Sequence, residues 1–465
     1  MLRPLLAAAI SFLLFGCASG SPPSLPQKDV PARFEGAAPA NAPIWPATGW
    51  WKGFDDPELS ALIAAGQANN LDLAAVEARL RQADARAREA GAALLPSIGL
   101  NGGLDAFYGQ GSHTSAQETD WSLELGASYE LDFWGKNRDT LTSAEAARAA
   151  SEADRATVGL TVTAGIADSY FQLLSLRDRI AVAEDNLKAS QQTLALVQRR
   201  VNAGYAAPSD LTQERVNMAA QQAAVQALQQ QALETRDALA ILVGRPPEGF
   251  EVRRMTLAKL SSPPIGPGLP ADLLTRRPDI FSAEENLKGA HADLALARKA
   301  FLPDLSLSAG AGPAYPALNA AATALPVTGL TESIGGSLVE AIFNGGRLEG
   351  RVQETRARQD ELLAAYRAAV LGAFSDVENA LGAVSHFAAQ EAALQEEATQ
   401  SEMALAAARR KYTAGYADFL VVTDAERLLY SARDQLSDIR RARLAADVAL
   451  FKALGGGWTA PAKPD

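Results

Sequence analysis

Residues 67–244 and 274–455 carry one pattern twice. Asn70-Leu71-Asp72 aligns with Arg277-Pro278-Asp279, and Leu94-Leu95-Pro96-Ser97-Ile98 with Phe301-Leu302-Pro303-Asp304-Leu305, both at a shift of 207. Glu130-Leu131-Asp132-Phe133-Trp134-Gly135 aligns with Glu340-Ala341-Ile342-Phe343-Asn344-Gly345 at a shift of 210. Ala203-Gly204-Tyr205 aligns with Ala414-Gly415-Tyr416, and Val243-Gly244 with Leu454-Gly455, at 211. A shift that grows this slowly indicates tandem duplication, so a fold available to one copy must serve both. Each copy reads as a helix, two strands and a very long helix pair.

The sharpest local pattern lies in residues 121–133. Trp121, Leu123, Leu125, Ala127, Tyr129, Leu131 and Phe133 alternate with Ser122, Glu124, Gly126, Ser128, Glu130 and Asp132. This period of two places one face in an apolar medium and the other in water. Aromatic residues at both ends match the interfacial girdles of membrane barrels. At about 3.3 Å per residue the strand reaches roughly 40 Å, enough to cross a tilted bilayer path. An exposed strand of a soluble antiparallel sheet gives the same alternation but is usually shorter. Residues 97–108 supply a partner, with Ile98, Leu100, Leu104, Ala106 and Tyr108 on one face and 109–119 as connector. In the second copy 304–312 and 332–343 take these roles around a connector at 313–331, on the strength of the duplication.

One chain thus offers four barrel strands, whereas about eight make the smallest closed membrane barrel. Open strand edges cannot face lipid, because their backbone N–H and C=O groups would be unsatisfied. The chain must therefore associate with copies of itself to close a barrel, or stay out of the membrane.

No proline occurs between 97 and 207 or between 327 and 460. Two Ala-rich runs follow the strands, at about 140–203 and 350–413. As helices they would extend roughly 95 Å at 1.5 Å per residue. Leu363, Tyr366, Val370, Ala373, Val377, Ala380, Val384 and Phe387 keep a 3-4 spacing that predicts a coiled-coil seam. Leu187, Leu194, Val197 and Val201 follow a similar rhythm in the first copy. Turns at Ala203–Asp210 and Ala414–Asp418 end these runs, with Gly as αL cap and polar residues to start the next helix. Returning helices are expected at about 209–243 and 419–454, so each copy forms an antiparallel helical hairpin.

The first residues read as an export signal: Arg3, the apolar run Leu5 to Phe15, then Gly16-Cys17. Cys17 is the only cysteine, so no disulfide framework exists; its place after Leu14-Phe15-Gly16 fits a lipobox whose thiol is acylated. Ala18 after it points to the outer membrane. Residues 20–49 hold seven prolines and read as an extended tether. The net charge of −11, without a basic cluster, excludes electrostatic support for nucleic-acid binding. His113, His291 and His386 are scattered without metal-ligand spacing. No phosphate-cradling loop or acid–base pair can be nominated, so no cofactor and no catalytic residue are expected.

These pieces together resemble the TolC-like outer-membrane factors, in the lipoprotein (NodT-type) branch of resistance-nodulation-division efflux systems. The residues carrying the resemblance are Cys17 after a signal, Arg276-Arg277-Pro278-Asp279-Ile280 with Ala283-Glu284 and Leu287, and Phe301-Leu302-Pro303. Leu131-Asp132-Phe133-Trp134-Gly135-Lys136, Phe343-Asn344-Gly345-Gly346-Arg347 and the two Ala-Gly-Tyr turns complete it. The resemblance implies a mainly α fold with a membrane β-barrel part: a homotrimer whose strands form one outer-membrane barrel continuous with a periplasmic helical barrel. It implies the segments 1–16 (signal), 17–50 (acylated tether), 51–96 and 245–302 (equatorial segments and first helices), 97–134 and 303–344 (membrane strands), 135–244 and 345–455 (helical hairpins) and 456–465 (tail). Within the mid-height belt it places 52–66, 245–273 and the C-terminal tail.

The implied function is a passive exit duct for drug-like molecules, supplied by a periplasmic adaptor and an inner-membrane pump. The tips at Gly204, Tyr205, Gly415 and Tyr416 would dock the adaptor. Asp424 falls at the family's aperture aspartate, with Asp210 the first-copy candidate; read alone, Asp424 is an ordinary exposed helix carboxylate. Some members tie the closed state with an arginine where this chain has Ala417, so any tie here must be built differently. The duct of a type I protein-secretion system uses the same architecture. A metal-efflux role has little support from Met218, Met255 and Met403, which form no soft-ligand cluster. A pore-less periplasmic coiled-coil scaffold is the reading of a different class.

Overall fold

The computed structural model describes residues 31–35, 44–110, 115–258, 260–266, 268, 270–315 and 329–461. The signal segment, Cys17 and His113 lie outside them. The chain divides into two compact units. Among the described residues, one comprises Arg79–Ser151 and Ala283–Arg367; the other comprises those up to Ala78, Glu152–Ser282 and those from Ala368 onward.

The duplication is written in element lengths. Helices α2 (Leu71–Ala92) and α5 (Pro278–Lys299) have 22 residues each. Helices α3 (Lys136–Asn202) and α6 (Arg347–Thr413) have 67 each, and α4 (Pro208–Leu242) and α7 (Phe419–Ala453) have 35 each. A further helix, α1 (Pro57–Asn69), precedes the first copy. It starts where Asp56 accepts the N–H groups of Glu58 at 2.8 Å and Leu59 at 3.2 Å, with Pro57 supplying a ready-made first-turn φ.

In the first unit four strands form one antiparallel sheet, ordered β1-β2-β3-β4: β1 (Ser97–Gln110), β2 (Ser115–Glu130), β3 (Asp304–Tyr315) and β4 (Gly329–Val339). The register pairs Leu100 with Leu125, and Leu125 with Ala311. Six strand limits differ from the sequence expectation. The β1–β2 ladder runs outward past 108 and 121 to pair Gln110 with Ser115, because backbone pairing does not depend on an alternating side-chain pattern. The β3–β4 ladder likewise spans residues expected in the connector.

At the other end β2 stops at Glu130 instead of Phe133. There Asp132 turns its carboxylate onto the N–H groups of Asn137 (2.9 Å) and Arg138 (3.0 Å), so it caps α3 and cannot stay in the ladder. Gly135, at φ 76°, makes the turn. The aromatic pair Phe133 and Trp134 pack edge-to-face, and Trp134 donates to the Pro303 carbonyl at 2.9 Å. Its counterpart β4 ends at Val339, leaving Ile342 and Phe343 over 90% exposed, at 98% and 91%.

In the second unit the largest core gathers Trp50, Phe54, Ile63, Tyr170, Phe171, Leu239, Val243 and Phe451. Burial of side chains this size stabilises by about 1.5–3 kcal/mol each. Trp50 stacks on Phe451 at 4.8 Å, and the Tyr170 hydroxyl donates to Asp56 at 2.8 Å. The expected α6 seam is real: Val370, Ala373 and Val377 are fully buried. Arg277 of the family-like motif binds Asp279, Asp376 and the Ala453 carbonyl, so it ties the start of α5 to α6 and to the end of α7.

Each hairpin closes on a glycine held against backbone. Gly244 (φ 75°) and Gly455 (φ 84°) would bring an added Cβ to 2.3 Å from the Asn69 carbonyl and 1.9 Å from the Arg276 carbonyl, respectively. Asn69 and Arg276 are themselves counterparts at the shift of 207.

Candidate functional site

Two features can carry function: the sheet faces in the first unit and the hairpin tips in the second. On one sheet face stand Ile98, Leu100, Leu104, Leu123, Leu125, Leu307, Ile334 and Leu338, all exposed large apolar residues. A soluble protein does not leave such a continuous apolar face in water. One carboxylate, Glu332, stands on this face opposite Ala311. The other face carries Asn101, Asp105, Ser122, Glu124, Ser128, Glu130, Ser306, Ser308, Ser333 and Ser337. Ser333 donates to Glu124 at 3.4 Å. At its lower end Lys136 bridges Glu130 and Asp304, both at 2.7 Å. Strands β1 and β4 have one sheet neighbour each, so both outer edges carry open backbone groups.

The two tips are built alike. The N–H of Tyr205 bonds the Arg200 carbonyl at 2.8 Å, and that of Tyr416 bonds Lys411 at 2.9 Å. Gly204 (φ 77°) and Gly415 (φ 82°) take the left-handed position that only glycine adopts cheaply, with open space where a Cβ would stand. Tyr205 and Tyr416 project outward, exposed. An apolar cluster of Val197, Leu405, Ala408, Tyr412, Phe419, Val422, Ala425 and Leu429 packs the two hairpins together just behind the tips.

The candidate gate residues sit differently from one another. Asp424 is exposed and pairs with Arg427 at 2.7 Å, one turn along α7. Asp210 is half-buried in the first turn of α4, beside Tyr412. Burial pushes the Tyr412 phenol up, Arg200 pulls it down and Asp210 adds to the rise. The residue that sequence reasoning missed is Arg200. It stacks over the Tyr412 ring at 4.4 Å and donates to the Tyr412 carbonyl at 2.8 Å, tying the end of α6 to α3. A basic residue in the last turn of a helix was the only available signal, and it does not name its partner. Ala417 has no such reach.

His291 shares a hydrogen bond with Gln359 at 3.2 Å. Among the described residues no helix is long and apolar enough to cross a membrane.

This geometry, an open amphipathic sheet and paired long helical hairpins in duplicate, defines an outer-membrane channel fold. A family model described as outer membrane efflux protein matches residues 62–245 and 269–456, one stretch per copy. The chain belongs to this family and is an outer-membrane efflux channel. Pyoverdine export outer membrane protein OpmQ of Pseudomonas putida is 39% identical over 469 residues, 98% of each chain. The probable outer membrane lipoprotein SilC of Salmonella typhimurium is 28% identical over 459 residues, again 98% of each. The solved structure of the outer-membrane channel OprN matches with a TM-score of 0.86 at 29% identity, covering 95% of this chain and 100% of that one. Family membership sets aside the pore-less scaffold reading.

Proposed function

We propose that three copies close one twelve-strand barrel in the outer membrane and form a passive exit duct for small molecules. The observation that carries this is the open four-stranded sheet with one exposed apolar face. Neither its edges nor its face is stable in water: copies of the same sheet pair the edges, and lipid covers the apolar face. Lipid acylation at Cys17 adds a second membrane anchor. A periplasmic adaptor docks at Gly204, Tyr205, Gly415 and Tyr416, and an inner-membrane pump supplies the energy.

Asp424 and Asp210 line the periplasmic aperture. The Arg200–Tyr412 contact holds the second hairpin in the closed arrangement where Ala417 cannot. The polar sheet face lines the barrel lumen. Its carboxylates Asp105 and Glu124 face no Lys or Arg from the strands, since residues 97–135 and 303–346 contain none, while Glu130 is paired with Lys136 at the lower end. Such a lumen favours neutral and cationic cargo. Identity of 39% to a pyoverdine export protein supports pyoverdine as a cargo to test beside drug-like compounds.

The test is reconstitution of the purified protein in planar bilayers, with its mass measured in detergent. A trimer giving cation-selective single-channel steps is expected; a detergent-free soluble monomer without conductance would end this reading. Complementation of a strain lacking its own efflux channel, scored for drug tolerance and for pyoverdine release, separates the cargoes.

A further inference from the structure

We propose that Glu214 is a proton-titrated latch joining the two helical hairpins behind their tips. Glu214 lies in the second turn of α4 and is fully buried, with 0% exposure. A buried carboxylate is costly unless it is paired or neutral. Its neighbours come from all four long helices. From α3, the Ser190 hydroxyl donates to Glu214 in a short bond, and Thr193 donates to Glu426 at 3.1 Å. From α4 itself, Asn217 donates to Glu214 at 3.3 Å. From α7 comes Glu426, and from α6 comes Arg409, whose guanidinium binds Glu426 at 2.8 Å.

Two carboxylates, one per hairpin, therefore sense each other's charge, and Arg409 acts on both. That cation is bonded to Glu426, while Glu214 is held by neutral donors. The arrangement has a preferred proton count. Burial pushes the Glu214 carboxyl above the ordinary glutamic range; Ser190 opposes this, Glu426 adds to it, and Asn217 and Arg409 oppose it. The packed hairpins thus bind the proton more tightly than parted ones do. The contact is strongest below the ordinary glutamic range and weakens as pH rises through the raised pKa, where the ionised Glu214 repels Glu426. Acidification at the tips tightens the hairpin pair and alkalinisation loosens it. The latch involves neither cargo nor pore, so it stands or falls separately from the duct.

Hydrogen exchange on the full-length protein in detergent, followed by mass spectrometry from about pH 5 to about pH 8 and corrected for intrinsic rates, reads this directly. In the wild type, protection of peptides covering 186–225 and 405–430 should fall several-fold as pH rises. Glu214→Gln keeps the shape and the Ser190 bond without the charge, so its protection should stay high and flat. Ser190→Ala removes a donor that favours the charged form, so its transition should move to higher pH. Wild-type protection independent of pH would overturn the latch. A pH dependence retained in Glu214→Gln, or an unmoved midpoint in Ser190→Ala, would overturn it equally.

Discussion

Leu125→Arg tests which sheet face meets lipid. Leu125 lies in β2, pairs with Leu100 on one side and Ala311 on the other, and is 56% exposed. An arginine on the lipid face of an outer-membrane barrel costs about 2–4 kcal/mol at mid-depth and about 0–1 near the interfaces. Leu125 lies five residues inside the periplasmic end of β2 at Glu130, well into the strand, so the upper part of that range applies. Three independent copies in a closed barrel would lose about 6–12 kcal/mol, comparable to the whole stability of many domains.

The control is the adjacent residue on the opposite face. Glu124→Gln removes a charge but keeps a side-chain oxygen to accept from Ser333 at 3.4 Å, and a polar change of this kind stays within about 0.5 kcal/mol. Denaturant titration of protein folded into lipid vesicles measures both, and membrane fractionation of expressing cells checks insertion. Leu125→Arg should insert poorly and unfold at much lower denaturant, with Glu124→Gln near wild type. Equal effects at the two neighbours, or normal insertion of Leu125→Arg, would refute the assignment of faces.

Gly244→Ala and Gly455→Ala should each lower stability by more than about 3 kcal/mol, adding backbone overlap to the αL penalty. Gly204→Ala and Gly415→Ala, with similar φ and open space, should cost only about 1–2 kcal/mol. Thermal unfolding compares the four, and equal shifts would remove the close-approach argument. Arg200→Ala frees the Tyr412 carbonyl and should raise resting conductance, while Arg200→Lys restores it incompletely because the stacked planar group is lost. Asp424→Ala should likewise raise resting conductance; since Asp424 is already paired with Arg427, unchanged conductance would remove it from the gate. Cys17→Ser should abolish labelling by radioactive palmitate yet leave the protein in the outer membrane, and loss of membrane location would make the acyl chain the main anchor.

Much of this architecture was legible because its signals are local and repeated. The period-two run through Leu123 and Leu125 marked the faces of β2, and the 3-4 spacing through Val370, Ala373 and Val377 marked a buried helix seam. Proline's absence bounded helices that prove to be 67 residues long in both copies. Copy-to-copy alignment then recovered β3 and β4, whose own alternation is diluted by Gly, Ala and Ser. The strand end at Glu130 was not legible, since Leu131 and Phe133 continue the alternation. Only the folded chain shows Asp132 diverted to cap α3.

Arg200 and Glu214 mark the deeper limit. In the sequence each is one charged residue among many on a helix, and solvation is the ordinary fate of such residues. Tyr412 is 212 residues from Arg200, and Glu214 meets groups on three other helices. Periodicity reports which face of an element is apolar; it carries no information on which distant charge that face will press against. That is settled when the duplicated hairpins pack, because burial makes an unpaired charge expensive and so selects its partners.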